Sequence, residues 1–290
     1  MPEAVPAFGD RLAAVFAGQG QLCVGIDPHP YLLGDWRLPD SAAGLREFGL
    51  RVVDAVAGSA GIVKPQVAFF ERHGSAGYAA LEAVLSAARQ AGLLVIADVK
   101  RGDVGTSVEA YAQAWLTPGG PLEADAMTAV AYQGLGSLAA PMRLAQENGK
   151  GLFVLAATSN PEGAEVQTAT VSTGPGRGSG LAASIVEGVT GWNTEHAAGE
   201  HGSIGLVLGA TVDFADFGID LSPLGGAVST PVLAPGFGHQ GARYSDLNAL
   251  YGPAAPATIV SASRSILGAG PDGVSAAVRE QALEVLACRG

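Results

Sequence analysis

A chain of 290 residues with 48% hydrophobic and only 15% charged residues can bury a large core, and no stretch is polar enough to read as disordered. Its formal charge of −11 opposes nucleic-acid binding, which Lys and Arg drive by neutralising phosphates. No apolar run reaches the roughly 18–20 residues of a membrane span. The opening MPEAVPAFGD lacks the order of a signal peptide, and Cys23 and Cys288 form no metal-ligand pair. The expectation is a soluble cytoplasmic protein with neither a membrane nor a nucleic-acid partner.

Eight short apolar runs follow one another: LCVGID (22–27), GIVKPQ (61–66), LLVIADVK (93–100), DAMTAV (125–130), GLFVLAAT (151–158), IGLVLGAT (204–211), PVLAPG (231–236) and TIVSAS (258–263). Apolar on both faces, they read as buried parallel strands. Ala- and Leu-rich segments with helical period lie between most of them, among them 77–90, 107–116 and a helix near 180–190, and 272–286 follows the last. Eight such units predict an α/β fold, a closed (β/α)₈ TIM barrel forming a single domain over 1–290, with an open doubly wound sheet as the alternative.

Two connections are long. Residues 28–44 carry three prolines and two glycines before the first predicted helix, and residues 159–179 run from SNPEG to STGPGRGSG. Both follow strands, so both belong to the catalytic face of a barrel, either as covers for a ligand or as harmless insertions.

The third run ends ADVKRGDVGTS. Asp98 and Lys100 stand two apart, which on a strand puts them on one face at the barrel mouth. Asp103 follows in the turn, and Thr106 with Glu109 has capping-box spacing, so the next helix is expected to begin there. Alternating charges at a strand end read as a structural ion network on the rim or as a site awaiting an anionic ligand. Lys64, ending the neighbouring second run, extends the array to Lys64–Asp98–Lys100–Asp103 and favours the site. With three lysines against thirteen arginines, lysine at two strand ends suggests a need for a compact ammonium. Between two carboxylates, Lys100 is expected to be a directed proton donor rather than a Schiff-base nucleophile.

The seventh run leads into APGFGHQGA (234–242), which includes Pro235 and Gly238 and offers the Gln240 amide. Alone, this loop reads better as an ordinary turn. The eighth run ends with Ser263 and Arg264, and Arg264 can take phosphate oxygens in bidentate fashion. Together the two loops predict phosphate binding, since barrels of this kind hold phosphate after strands seven and eight. Asp27, ending the first run, suits sugar hydroxyls, and Ser159, after the fifth, suits a carbonyl or ring N–H. Either could instead cap a helix. His29, His73 and His239 lack metal-ligand spacing and read as surface residues, so no metal is expected.

Taken in order, VGIDPHP (24–30), VKPQVAFFE (63–71), ADVKRGDVGTS (97–107), ATSNPEG (157–163), LAPGFGHQGA (233–242) and SASRSIL (261–267) resemble the motifs of the orotidine 5'-phosphate decarboxylases, in their longer bacterial form. The resemblance spans nearly the whole chain. It implies decarboxylation of orotidine 5'-phosphate to uridine 5'-phosphate in pyrimidine biosynthesis, by a homodimer and without a cofactor. Asp27 and Lys64 would bind ribose hydroxyls, Asp98 would face the substrate carboxylate, and Lys100 would deliver the proton to C6. Asp103 would be lent by the partner subunit, with Thr106 and Ser107 near the neighbouring ribose. Ser159 would read the pyrimidine, while Gln240 and Arg264 hold the phosphate among the loop positions Pro235, Gly238 and Ser263.

Two departures stand out. Ser263 replaces a glycine common in the family, and residues 129–136 lack the Asn-Pro and Asp expected there. The alternatives are a Mg²⁺-dependent sugar-phosphate lyase or synthase of the same barrel type and a non-catalytic phosphometabolite-binding barrel. The first of these places an acidic residue where this chain has Lys64.

Overall fold

The computed structural model describes residues 5–197 and 199–288. Eight parallel strands close into a barrel in chain order. They are β1 (Leu22–Ile26), β2 (Ile62–Pro65), β3 (Leu94–Arg101) and β4 (Ala126–Val130), followed by β5 (Gly151–Ala157), β6 (Ile204–Leu208), β7 (Val232–Pro235) and β8 (Thr258–Ala262). Every predicted run is a strand. Pairing of β1 with both β2 and β8 excludes the open sheet.

Strand periodicity sorts the side chains and thereby builds the site. On β3, Leu94 and Ile96 face the barrel interior while Val95 and Ala97 face the helices; on β1, Cys23 faces inward while Leu22 and Val24 do not. Two residues further along the inward face, the side chains become polar. Lys64 follows Ile62, Asp98 follows Ile96, Thr128 follows Ala126 and Ser261 follows Ile259, and all four line cavities at the C-terminal mouth. The barrel is thus apolar below and polar above.

The helix Phe8–Gln19, which the sequence reading did not anticipate, closes the lower end. Its Phe8, Leu12 and Phe16 form an i, i+4, i+8 stripe packed with Cys23, Ile62, Ile96 and Phe153 from the strands. Phe8 meets the Phe153 ring edge-on at 5.9 Å, and a Cβ at Gly151 would stand 2.7 Å from the Phe8 ring, so glycine makes room for it. Arg11 of this helix pairs with Asp125, and buried Lys150 pairs with Glu123 at 2.7 Å, so the third lysine serves as a structural cation. Phe8→Ala is expected to lower the unfolding free energy by about 3–5 kcal/mol. Urea denaturation measures this, and turnover per folded molecule should stay unchanged because the polar mouth lies at the other end.

Several connections differ from the sequence expectation. The first long one contains the helix Pro30–Asp35, and the next helix, Ala42–Val56, begins before Gly44, whose N–H donates to the capping hydroxyl of Ser41. The second contains the short helix Gly163–Gln167. Between β6 and β7 no α-helix forms; the Gly- and Pro-containing stretch makes only the 3₁₀ turns Phe214–Phe217 and Ser222–Gly225. The helix after β3 is Gly105–Leu116, with Val104 at its cap position and no side-chain cap. Thr106 therefore lies exposed inside the first turn rather than capping it, and the Val104 N–H donates to the Asp103 carboxylate at 2.8 Å.

Candidate active site

The polar mouth centres on Asp98. Its Oδ2 accepts from Lys64 Nζ at 3.0 Å and its Oδ1 from Lys100 Nζ at 2.6 Å. Lys64 and Asp98 are buried, whereas the Lys100 side chain is 45% exposed and opens onto the cavity. Burial alone would push the Asp98 carboxyl up, but the ammoniums of Lys64 and Lys100 outweigh it and hold the group well below the usual carboxylate range. Burial would likewise pull Lys64 down, yet Asp98 and Asp27 raise it above its ordinary value. Beneath them, burial pushes the Cys23 thiol up to about 12, which keeps it protonated and unreactive.

Lys100 reaches Asp98 by a route that strand alternation does not describe. Its φ is +46°, in the left-handed region that non-glycine residues enter at a cost of about 1–3 kcal/mol. Between the paired residues Ala97–Met127 and Arg101–Ala129 the β3–β4 register shifts, so Asp98, Val99 and Lys100 oppose Thr128 alone. The Thr128 hydroxyl binds all three, accepting from the Val99 N–H at 3.0 Å and the Lys100 N–H at 2.9 Å and donating to Asp98 Oδ1 at 2.9 Å.

Two cavities meet at this array, and both are lined by Lys64 and Pro235. One, of about 370 Å³, adds Asp98, Lys100 and Thr128, the apolar Leu155, Val207 and Leu233, and Ser159 with Asn160 from the loop after β5. Gln167 folds that loop back, accepting the Thr158 N–H at 2.9 Å and donating to its hydroxyl at 2.7 Å. The other cavity, of about 280 Å³, is lined by Asp27, Gln240, Ser263 and Arg264 together with His29 and His239. All three glycines of the loop after β7, Gly236, Gly238 and Gly241, have positive φ, which explains the glycine pattern there.

Among the described residues, Asp27 Oδ1 and Ser263 Oγ are buried without a hydrogen-bond partner, and both residues line this second cavity. Buried polar atoms are rarely left so. Gly25 gives them room, since a Cβ there would stand 2.7 Å from Ser263 Cβ.

Most of the predicted site residues therefore converge. Gly238 does not; it borders a groove on the outer side of its loop, beside Tyr244 and Ser265. Asp103, Thr106 and Ser107 line neither cavity, and within one chain the charged array ends at Lys100. His29 and His239 line the second cavity; His239 is exposed, as expected, and His29 is half-buried. Thr128 and Gln66, whose Oε1 accepts from Lys100 Nζ at 3.5 Å, were not anticipated. Inward parity on β4 could have signalled Thr128.

The profile of the orotidine 5'-phosphate decarboxylase / HUMPS family matches residues 20–279. An orotidine 5'-phosphate decarboxylase of Salinispora arenicola is 48% identical over 284 residues, covering 98% of this chain and 97% of that protein. Another, from Streptomyces coelicolor, is 46% identical over 266 residues, covering 91% of each. The crystal structure of a Streptomyces avermitilis protein superposes with a TM-score of 0.90 at 42% identity, covering 99% of this chain and 97% of the other. Leishmania donovani OMP decarboxylase superposes with a TM-score of 0.73 at 30% identity, covering 98% and 99%. The chain belongs to the orotidine 5'-phosphate decarboxylase / HUMPS family.

Proposed function

We propose that this protein converts orotidine 5'-phosphate to uridine 5'-phosphate and CO₂ without a metal or other cofactor, with Lys100 as the proton donor. The observation that carries this reading is the Lys64–Asp98–Lys100 array at the junction of an apolar-walled cavity and a polar one. The pyrimidine occupies the first cavity beside Ser159. Arg264 and Gln240 hold the phosphate in the second, and Asp27 and Lys64 take the ribose hydroxyls between them.

In the reaction the bond from C6 to the carboxylate breaks, CO₂ leaves, and its bonding electrons stay on C6. The Lys100 ammonium, already fixed by Asp98, stabilises that charge and then gives its proton to C6. Water later restores the lysine proton. The phosphate lies remote from the breaking bond, so its contacts supply binding energy that orients the ring. The resemblance implies that Mg²⁺-dependent enzymes of this barrel type carry an acidic residue on strand two; Lys64, paired there with Asp98, is a cation instead, which favours metal-free chemistry.

The active form in this reading is a cytoplasmic homodimer of single-domain barrels. Asp103, with Thr106 and Ser107, completes the neighbouring subunit's site. The test is the ultraviolet absorbance of orotidine 5'-phosphate incubated with purified protein and a chelator, with product identified by chromatography. Conversion should proceed at an undiminished rate. Absence of turnover sinks the substrate assignment, and turnover that stops only with chelator sinks the cofactor-free mechanism.

A further inference from the structure

We infer that Thr128 is a positioning residue for this reaction, acting through Asp98 and Lys100; its kinetic role rests on the function proposed above. A hydroxyl has one proton to donate and two lone pairs to accept with. In Thr128 both lone pairs are engaged by the N–H groups of Val99 and Lys100, which leaves its proton for Asp98 Oδ1. The side chain is 1% exposed, so no water competes for these bonds.

One oxygen thus fixes two different things. It holds the backbone of Lys100 at φ +46°, a conformation this residue type rarely adopts, by accepting from two successive N–H groups inside the β3–β4 register shift. It also fixes Asp98. With Thr128 and Lys100 on Oδ1 and Lys64 on Oδ2, the carboxylate is held from three sides and its plane is set. The direction of the Lys100 ammonium follows from both, because its stem begins at the strained backbone and its head ends on Asp98. Loss of the hydroxyl would leave the binding walls in place and loosen the one cation that meets C6.

The test compares Thr128→Val, which keeps the shape and removes the hydroxyl, with Thr128→Ser, which restores it. Thr128→Val is expected to lower kcat at least about 30-fold, with KM and the Kd of uridine 5'-phosphate within about 3-fold of the parent. Thr128→Ser should stay within about 3-fold in all three. Parental kcat in the valine variant overturns the inference, as does a serine variant as slow as the valine one. A loss that falls on KM alone does so too, because it would make Thr128 a binding residue.

Crystal structures of the two variants separate this inference from the assignment of substrate. Lys100 should leave the left-handed region in the valine variant and keep it in the serine variant, whatever the protein is found to turn over. Unchanged geometry in both overturns the positioning role. Should the valine variant fail to fold, Thr128→Ala serves in the same comparison.

Discussion

Lys100→Ala is expected to cut decarboxylation by at least about 10⁴-fold while the affinity for uridine 5'-phosphate stays within about tenfold of the parent. The two halves of this expectation come from different parts of the site. The departing CO₂ leaves a vinyl carbanion that no neighbouring group of the ring delocalises. In the proposed mechanism the ammonium of Lys100 both faces that charge and supplies the proton that ends it, so alanine would remove two contributions at once. The product carries no carboxylate, and in the same proposal its main contacts come from Arg264, Gln240 and Asp27, which line the second cavity and remain in the variant.

The rest of the site should survive the substitution. Asp98 retains Lys64 at 3.0 Å and the Thr128 hydroxyl at 2.9 Å, so its charge is not left unpaired. Single-turnover assays and calorimetric titration with uridine 5'-phosphate read the two quantities separately. Comparable turnover in the variant would remove Lys100 from the mechanism.

Mixing inactive Lys100→Ala with inactive Asp103→Ala protein is expected to bring activity back. Within one chain the Asp103 carboxylate accepts the Val104 N–H and pairs with no cation among the described residues, although it stands only three residues from Lys100. Near it Val104 is 54% exposed and Tyr111 39%, and Tyr132, beyond β4, is 77% exposed, an apolar set suited to being covered by a second subunit. If Asp103 crosses that boundary, a mixed dimer contains one site with both residues intact and one with neither. Random exchange at equal amounts makes about half of the dimers mixed, so recovery should approach about a quarter of the parental activity. No recovery, with exchange proven by mass labelling, would place Asp103 in its own subunit's site.

What was legible in the sequence followed from periods of two. Lys64, Asp98 and Ser261 sit one inward step beyond apolar residues, so their convergence at the mouth could be read from spacing and the closure of eight strands. The loops after β7 and β8 were legible through their glycines and Arg264. The place of Thr128 on the inward face was legible in the same way, but its contacts were not, because they depend on a register shift and a left-handed residue on the neighbouring strand, and local spacing encodes neither. Nor was the Phe8–Gln19 helix, whose apolar stripe acquires a partner only when the barrel exists to be closed. His29 looked like a surface residue because loop composition says nothing about which loops fold inward. Asp103 lines neither cavity within one chain, and the role across a dimer that the resemblance implies is not something local spacing encodes.

The conformation of Lys100 places two incompatible demands on one codon. Its backbone would be satisfied best by glycine, and the chemistry proposed for it requires a primary amine; no genetically encoded residue offers both. Local preference and function are thus frustrated at the reactive position and consistent around it. Selection for greater stability alone would erode this position, and substitutions that relieve it should make the protein tougher and inert.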